Sequence, residues 1–229
     1  MYKLFAYPNS YAMSAHAILE ETGAPYDVHW VQIFTDSPDP AFLVASPHAR
    51  VPALQTEEET IFETGAIALY LAEEHPESDL LIRENMPGRA TFLQWLHYLA
   101  STLQPDVIIQ FHPELYFPDD EDAQKCLLLA SMGRLSSVMD VIENTLAVGP
   151  YFCGEKRTIL DYLFVMQAIW PEIFPTSAAD YPNIDRLIKT LLERPAVTRA
   201  YGQHIQEQRA PIKADGSPAP DGYGLHKET

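Results

Sequence analysis

The sequence predicts a mixed α/β portion followed by an all-helical one, and three observations carry that prediction. Short apolar runs closed by turn residues, with helical spacing between them, fill the chain up to Pro76. Beyond Pro76 no segment alternates with period two for long, and extended amphipathic stretches take over. With 229 residues, 47% hydrophobic and 21% charged, the chain can build two small domains with real cores and is too apolar for wholesale disorder. The expected division is 1–77 for the α/β domain, 87–206 for the helical domain and 207–229 for an extended tail, with a linker from about Ser78 to Pro87.

The first strand is Lys3 to Tyr7, closed by Pro8-Asn9-Ser10. A helix follows: Met13, Ala17, Ile18 and Leu19 form its apolar stripe, Glu20 and Glu21 solvate the other side, and Gly23 stands just past its end. Val28, Trp30 and Ile33 alternate as a second strand, and Pro40 to Ala45 makes a short helix before Ser46-Pro47. Val51 to Gln55 is the third strand. Pro52 cannot donate to a ladder, so the start of that strand lies on an edge or carries an unusual peptide geometry. Glu57-Glu58-Glu59 turns into a brief strand over Thr60 to Phe62, and a helix from Glu63 runs until Pro76 stops it. Helical runs then span about Pro87 to Ile109, Asp120 to Leu146, Thr158 to Ile169 and Ile184 to Leu192. From about Pro211 the chain is rich in Gly, Pro and Asp and has little apolar surface to bury, which predicts an extended tail.

Charge narrows the function classes. Lys plus Arg number 15 against 32 Asp plus Glu, a net −17 with a sequence pI near 4.7, so nucleic acid and anionic membrane surfaces are poor partners. An anionic small ligand would need local devices, such as helix N-termini and backbone amides. The N-terminal residues lack a secretory signal, no apolar run reaches the roughly 20 residues of a membrane span, and Cys126 and Cys153 form no Cys-x-x-Cys. A cytoplasmic protein is expected, with both cysteines as small core hydrophobes. The eight histidines show no zinc spacing, His16 is expected to be a packing residue rather than a base, and no metal site is expected. Neither a Gly-rich phosphate loop nor G-x-S-x-G occurs.

The most specific stretch is Ser46-Pro47-His48-Ala49-Arg50-Val51-Pro52-Ala53-Leu54, followed by Glu63-Thr64 at a helix start. A Val-Pro pair entering a strand can hold a cis proline and leave the valine amide and carbonyl open to an extended peptide. Glu63-Thr64 sets a carboxylate beside a hydroxyl and the open amides of a helix N-terminus, which complements one ammonium plus one carboxylate. Each half has a plainer explanation as a strand start or a helix cap. In this order, after a strand-helix-strand unit, they resemble the glutathione-binding half of the cytosolic glutathione transferases, a thioredoxin-like domain fused to an all-helical one. The resemblance runs from about Tyr2 to Ile205, and its local frame is most similar to the bacterial beta class with theta-like features.

That resemblance implies glutathione as co-substrate, with Val51 holding the cysteinyl backbone, Pro52 as the cis proline, Glu63 and Thr64 taking the γ-glutamyl head, and Arg50 reaching the glycine carboxylate. It also implies a homodimer, no metal, and a hydrophobic electrophile as second substrate in a detoxifying reaction. Thr158 with Asp161 three residues on is a capping box of structural role. Transferases of this kind lower the thiol pKa with a donor in the turn after the first strand. Counting back from Gly23, the beta-class cysteine falls on Tyr11, and the theta-like serine falls on Ala12, which donates nothing. Tyr11 is the first candidate donor and Ser10 the second; Tyr7 or Ser14 would need a shifted backbone. Aromatics from Trp95 to Phe117, with Trp170, are candidates for an apolar cleft, Phe111 to Phe117 above the others. A non-catalytic binding protein of the same fold, and a glutathione-dependent isomerase or ether-cleaving enzyme, are the alternatives.

Overall fold

A computed structural model describes residues 1–209 apart from 34 and 36; the expected tail beyond 209 lies outside the described residues. The chain forms two compact units, Met1–Leu81 together with the segment from Leu192 onward, and Ile82–Leu191.

The first unit is a thioredoxin-like layer of helices on a four-stranded mixed sheet. β1 (Tyr2–Ala6) runs parallel to β2 (Tyr26–Trp30) and antiparallel to β3 (Ala53–Gln55), which pairs antiparallel with β4 (Thr60–Phe62), giving the order β2-β1-β3-β4. α1 (Ala12–Thr22) is the crossover from β1 to β2, α2 (Pro40–Ala45) precedes β3, and α3 (Thr64–Glu74) follows β4. Alternation along β1 turns Leu4 and Phe5 to opposite faces, and both are buried. On one face Phe5 stacks on Phe42 of α2 at 5.8 Å between ring centroids and joins Val31, Ala45 and Ala53; α1 and α3 pack together over the other. α1 ends where expected: Gly23 takes φ 67° and its N–H donates to the Leu19 carbonyl at 3.1 Å, a left-handed cap that suits a residue without Cβ.

Two strand boundaries differ from the sequence expectation. β2 stops at Trp30, so Ile33 lies outside it; Val31 still donates to the Ala6 carbonyl at 2.9 Å. Pro52 is followed by an internal strand rather than an edge one, since β3 sits between β1 and β4. The Val51–Pro52 peptide is cis, and the ladder begins only at Ala53.

A larger difference concerns α9 (Pro195–Arg209). The sequence reading gave 87–206 to the helical domain and the tail 207–229, but α9 runs on to Arg209 and packs on α1 of the first unit. Ala196, Val197, Ala200 and His204 form its buried face. Arg194, just ahead of α9, makes a two-pronged ion pair with Glu21 at 2.5 and 2.7 Å, and Arg199 bonds Glu20 at 2.6 Å.

The second unit is helical: α4 (Arg89–Tyr98), α5 (Gln104–Phe111), α6 (Glu121–Leu146), α7 (Ile159–Ala168) and α8 (Pro182–Leu192). A single π turn over Leu99–Leu103 joins α4 to α5. Pro105 has no N–H and its ring crowds the carbonyl four residues back, which gives the helix a reason to widen there. Asp106, nearly buried, holds Arg134 of α6 with contacts of 2.5 to 3.1 Å. The Thr158–Asp161 capping box forms as expected, and Arg157 reaches the Tyr162 hydroxyl beside it.

The cysteine expectation is corrected. Cys126 is exposed, because the buried face of α6 runs through Ser131, Leu135, Val138, Met139, Ile142 and Leu146, and five residues before Ser131 the helix faces the other way; Cys153 is only partly buried. Trp95 and Trp170 are core residues, with Phe111 edge-on to Trp170 at 5.3 Å, whereas Tyr116 and Phe117 are exposed.

Candidate active site

Sheet register gathers the motif residues at one end of the sheet. Phe5 pairs with Ala53 and Ala53 with Phe62, so continuing both ladders outward sets Pro52 level with Ala6 and Glu63, and Val51 level with Tyr7 and Thr64. At this end the chain leaves β1 through Pro8–Ser10 into α1 and leaves β4 directly into α3. Among the described residues neither the amide nor the carbonyl of Val51 is hydrogen-bonded. An extended peptide can therefore pair with Val51 where the ladder stops.

Arg50, immediately before, is held by its main chain. The buried Ser46 hydroxyl donates to the Arg50 carbonyl at 2.8 Å and accepts its N–H at 3.0 Å, while the Arg50 side chain is exposed and forms no ion pair among the described residues. The site thus has a fixed backbone and an available guanidinium next to it.

α3 begins under strain. Glu63 occupies its N-cap at φ 73°, a region that non-glycine residues rarely adopt, and its side chain makes no capping bond. The Glu63 carbonyl accepts from Ile67 at 3.0 Å, so the amides of Thr64, Gly65 and Ala66 have no partner within the helix. The Thr64 side chain is buried and its hydroxyl is unpaired among the described residues. Orphan amides, a hydroxyl and a carboxylate on one turn suit a group bearing both charges.

The turn before α1 distinguishes the donor candidates. The Ser10 hydroxyl donates to the Tyr7 carbonyl at 2.7 Å and accepts the Ala12 N–H at 3.2 Å, so its proton is committed within the turn. Tyr11 is the partly buried N-cap of α1 with no capping bond from its side chain. Tyr7 is partly buried and burial raises its phenol pKa. Ser14 is fully buried and its hydroxyl has no partner among the described residues, and Ala12 is also buried. The turn contains Asn9 at φ 51°, and the Asn9 N–H donates to Nδ1 of His204 on α9 at 3.2 Å. Sequence reasoning did not single out His204. The signal was present in its place on the buried face of an amphipathic stretch, where a histidine needs a partner.

His16 is buried as a packing residue. Its Nε2 meets the Tyr26 hydroxyl at 2.9 Å, and that hydroxyl donates in turn to Glu20. Desolvation lowers the His16 pKa to about 4 against a smaller pull from Glu20, and burial, then neighbouring His16, drives His204 well below the ordinary histidine value.

Comparison with known proteins agrees with this fold. The family described as glutathione S-transferase, N-terminal domain, matches residues 1–73, and glutathione S-transferase, C-terminal domain, matches 105–195. The glutathione S-transferase GstA of Escherichia coli O157:H7 is 29% identical over 203 residues, covering 86% of this chain and 96% of that protein. The structure of a sphingomonad glutathione S-transferase complexed with glutathione superposes with a TM-score of 0.78 at 26% identity, over 88% of this chain and 98% of that one. A probable elongation factor 1-gamma of Arabidopsis thaliana is 24% identical over 208 residues, 89% of this chain but 49% of that protein. The chain belongs to the cytosolic glutathione transferase superfamily.

Proposed function

We propose that the chain binds glutathione across this sheet end and transfers it to an apolar electrophile. Val51 pairs with the cysteinyl backbone beside Pro52, the α3 N-terminus with Glu63 and Thr64 receives the γ-glutamyl head, and Arg50 meets the glycine carboxylate. The observation that carries the reading is the open main chain of Val51 level with the open amides at Thr64. In the reaction the thiol loses its proton to solvent and the Tyr11 hydroxyl donates a hydrogen bond to the thiolate, aided by the N-terminus of α1. The sulfur lone pair forms the carbon–sulfur bond as the leaving group departs with its electron pair. Ser10, whose hydroxyl donates to the Tyr7 carbonyl, supports the turn and is the second candidate donor.

Turnover of chlorodinitrobenzene with glutathione, expected to fall about tenfold or more in Tyr11→Phe and less in Ser10→Ala, tests this assignment. No rate above background with several electrophiles would defeat it. Isomerisation or ether cleavage would use the same thiolate with a different second pocket, so a panel of electrophiles separates the three. The reading further assigns a cytoplasmic homodimer with a detoxifying role and no metal, the dimer being checked by light scattering. Among the described residues no helix is long and apolar enough to cross a membrane.

A second reading, a non-catalytic binding protein, is favoured by the similarity to a probable elongation factor 1-gamma and by Ala12 at the serine position. Calorimetry discriminates: absence of heat at millimolar glutathione supports this reading over the first.

A further inference from the structure

We infer that His204 is a positioning residue for the reaction, holding the Pro8–Tyr11 turn in place by accepting the Asn9 N–H at Nδ1. This rests on the proposed role of that turn as the carrier of the thiol donor.

The turn needs an external hold. Between the last residue of β1, Ala6, and the N-cap Tyr11 the chain leaves the sheet ladder, and Asn9 adopts φ 51°, which Asn tolerates better than most residues. The Ser10–Tyr7 bond stiffens the turn internally but does not fix where it sits. The Asn9–His204 bond spans 195 residues and ties the turn to α9.

His204 is itself fixed. It is fully buried, edge-on to Trp30 at 4.9 Å and tilted against His16 at 5.3 Å. α9 is pinned to α1 by the Arg194–Glu21 and Arg199–Glu20 pairs at the same seam. When Nδ1 accepts from Asn9 the ring proton sits on Nε2, which has no partner among the described residues, and the Tyr7 main chain of the same turn also lies within hydrogen-bond reach of the ring. Burial keeps the ring neutral, so Nδ1 retains its lone pair for the turn. A Tyr11 displaced by about 1 Å would lose much of its hold on the sulfur, since catalytic hydrogen bonds depend on such distances.

The test compares three full-length variants with the wild-type protein. His204→Phe keeps ring volume and removes the acceptor, His204→Asn returns an acceptor near the Nδ1 position, and His204→Gln places one near Nε2. Hydrogen exchange of the Asn9 amide, the ultraviolet titration of bound glutathione thiol, and kcat and KM for glutathione are measured on each. In His204→Phe, exchange at Asn9 is expected to speed up at least about tenfold, the thiol titration to move up by about one unit and kcat to fall about tenfold, with KM for glutathione within about twofold. His204→Asn is expected to bring all three back toward wild type, and His204→Gln is not.

The proposal is overturned if Asn9 exchange is unchanged in folded His204→Phe, or if it accelerates while kcat and the thiol titration stay at wild-type values. Should His204→Phe fail to fold, equal behaviour of the Asn and Gln variants overturns it and the Asn-over-Gln order supports it. If wild-type protein does not ionise bound glutathione, the transferase reading falls, and Asn9 exchange then upholds or overturns the brace by itself.

Discussion

The helices α3 and α7 both start with a carboxylate and a threonine close together, yet their first turns are opposites. At α7, the Asp161 carboxylate accepts the Phe152 N–H at 3.1 Å and the Thr158 N–H at 2.7 Å, while the Thr158 hydroxyl accepts from Leu160 at 3.4 Å; Thr158 and Asp161 are fully buried. At α3, Glu63 is exposed and strained and makes no capping bond, and among the described residues the Thr64 hydroxyl and first amides are left open. A helix start whose polar groups are satisfied from within is architecture. One that is left open, at a cost in backbone strain, keeps its polar groups available to a ligand. Residue types alone do not tell these two starts apart; their hydrogen-bond partners do.

The most disruptive way to break the contrast is Asp161→Ala, which strands two buried amides and removes the cap. It is expected to cost about 2–5 kcal/mol in urea unfolding, against little for Glu63→Ala at the open end.

Acidification separates the α7 cap from the α1–α9 seam. Burial pushes Asp161 up to about 7 despite the two amides that favour its charge, so the folded state binds its proton more tightly than the unfolded chain. That contribution to stability is present below the unfolded value near 4 and is lost as pH rises through about 7. His16 and His204 have the opposite sign. Their folded pKa values lie below the ordinary 6.5, so the unfolded chain takes up protons first and stability is lost as pH falls below that value, until His16 itself titrates near 4. Between pH 7.5 and 5.5 amide exchange should therefore show the seam loosening by about 1–3 kcal/mol and the α7 start tightening by about 1–2 kcal/mol. Shifts of one sign in both places would refute this.

Glu63→Gly sharpens the comparison by splitting stability from binding. Glycine relieves the positive φ at an entropic cost of about 0.5–1 kcal/mol, so unfolding stability should hold or rise, while calorimetry should show glutathione Kd rising roughly tenfold. The smallest effect is expected from Thr64→Val, which keeps shape and removes one hydroxyl: Kd up about threefold to fivefold, with stability within about 1 kcal/mol.

Much of this was legible in the sequence because the features are local. Val51-Pro52, the start of α3, the Gly23 cap, α2 and the Thr158–Asp161 box each depend on a few neighbouring residues. What stayed hidden depends on distance. The packing of α9 on α1, the Asn9–His204 bond and the Glu21–Arg194 pair join residues more than 170 apart, and periodicity reports a buried face without naming its partner. Cys126 was misjudged because a small apolar residue in a helical run suggests core, whereas its angle around α6 points it outward. The committed proton of Ser10 was likewise beyond sequence reasoning, since it depends on how the turn folds back on Tyr7.

The return of α9 to the first unit has a consequence for how the protein is made. Glu21 emerges from the ribosome 173 residues before Arg194, and at about 5–20 residues per second that gap lasts roughly 10–35 s. Throughout that interval α1 lacks the helix that covers His16, and the nascent first domain presents a bare seam to chaperones and proteases until α9 has emerged.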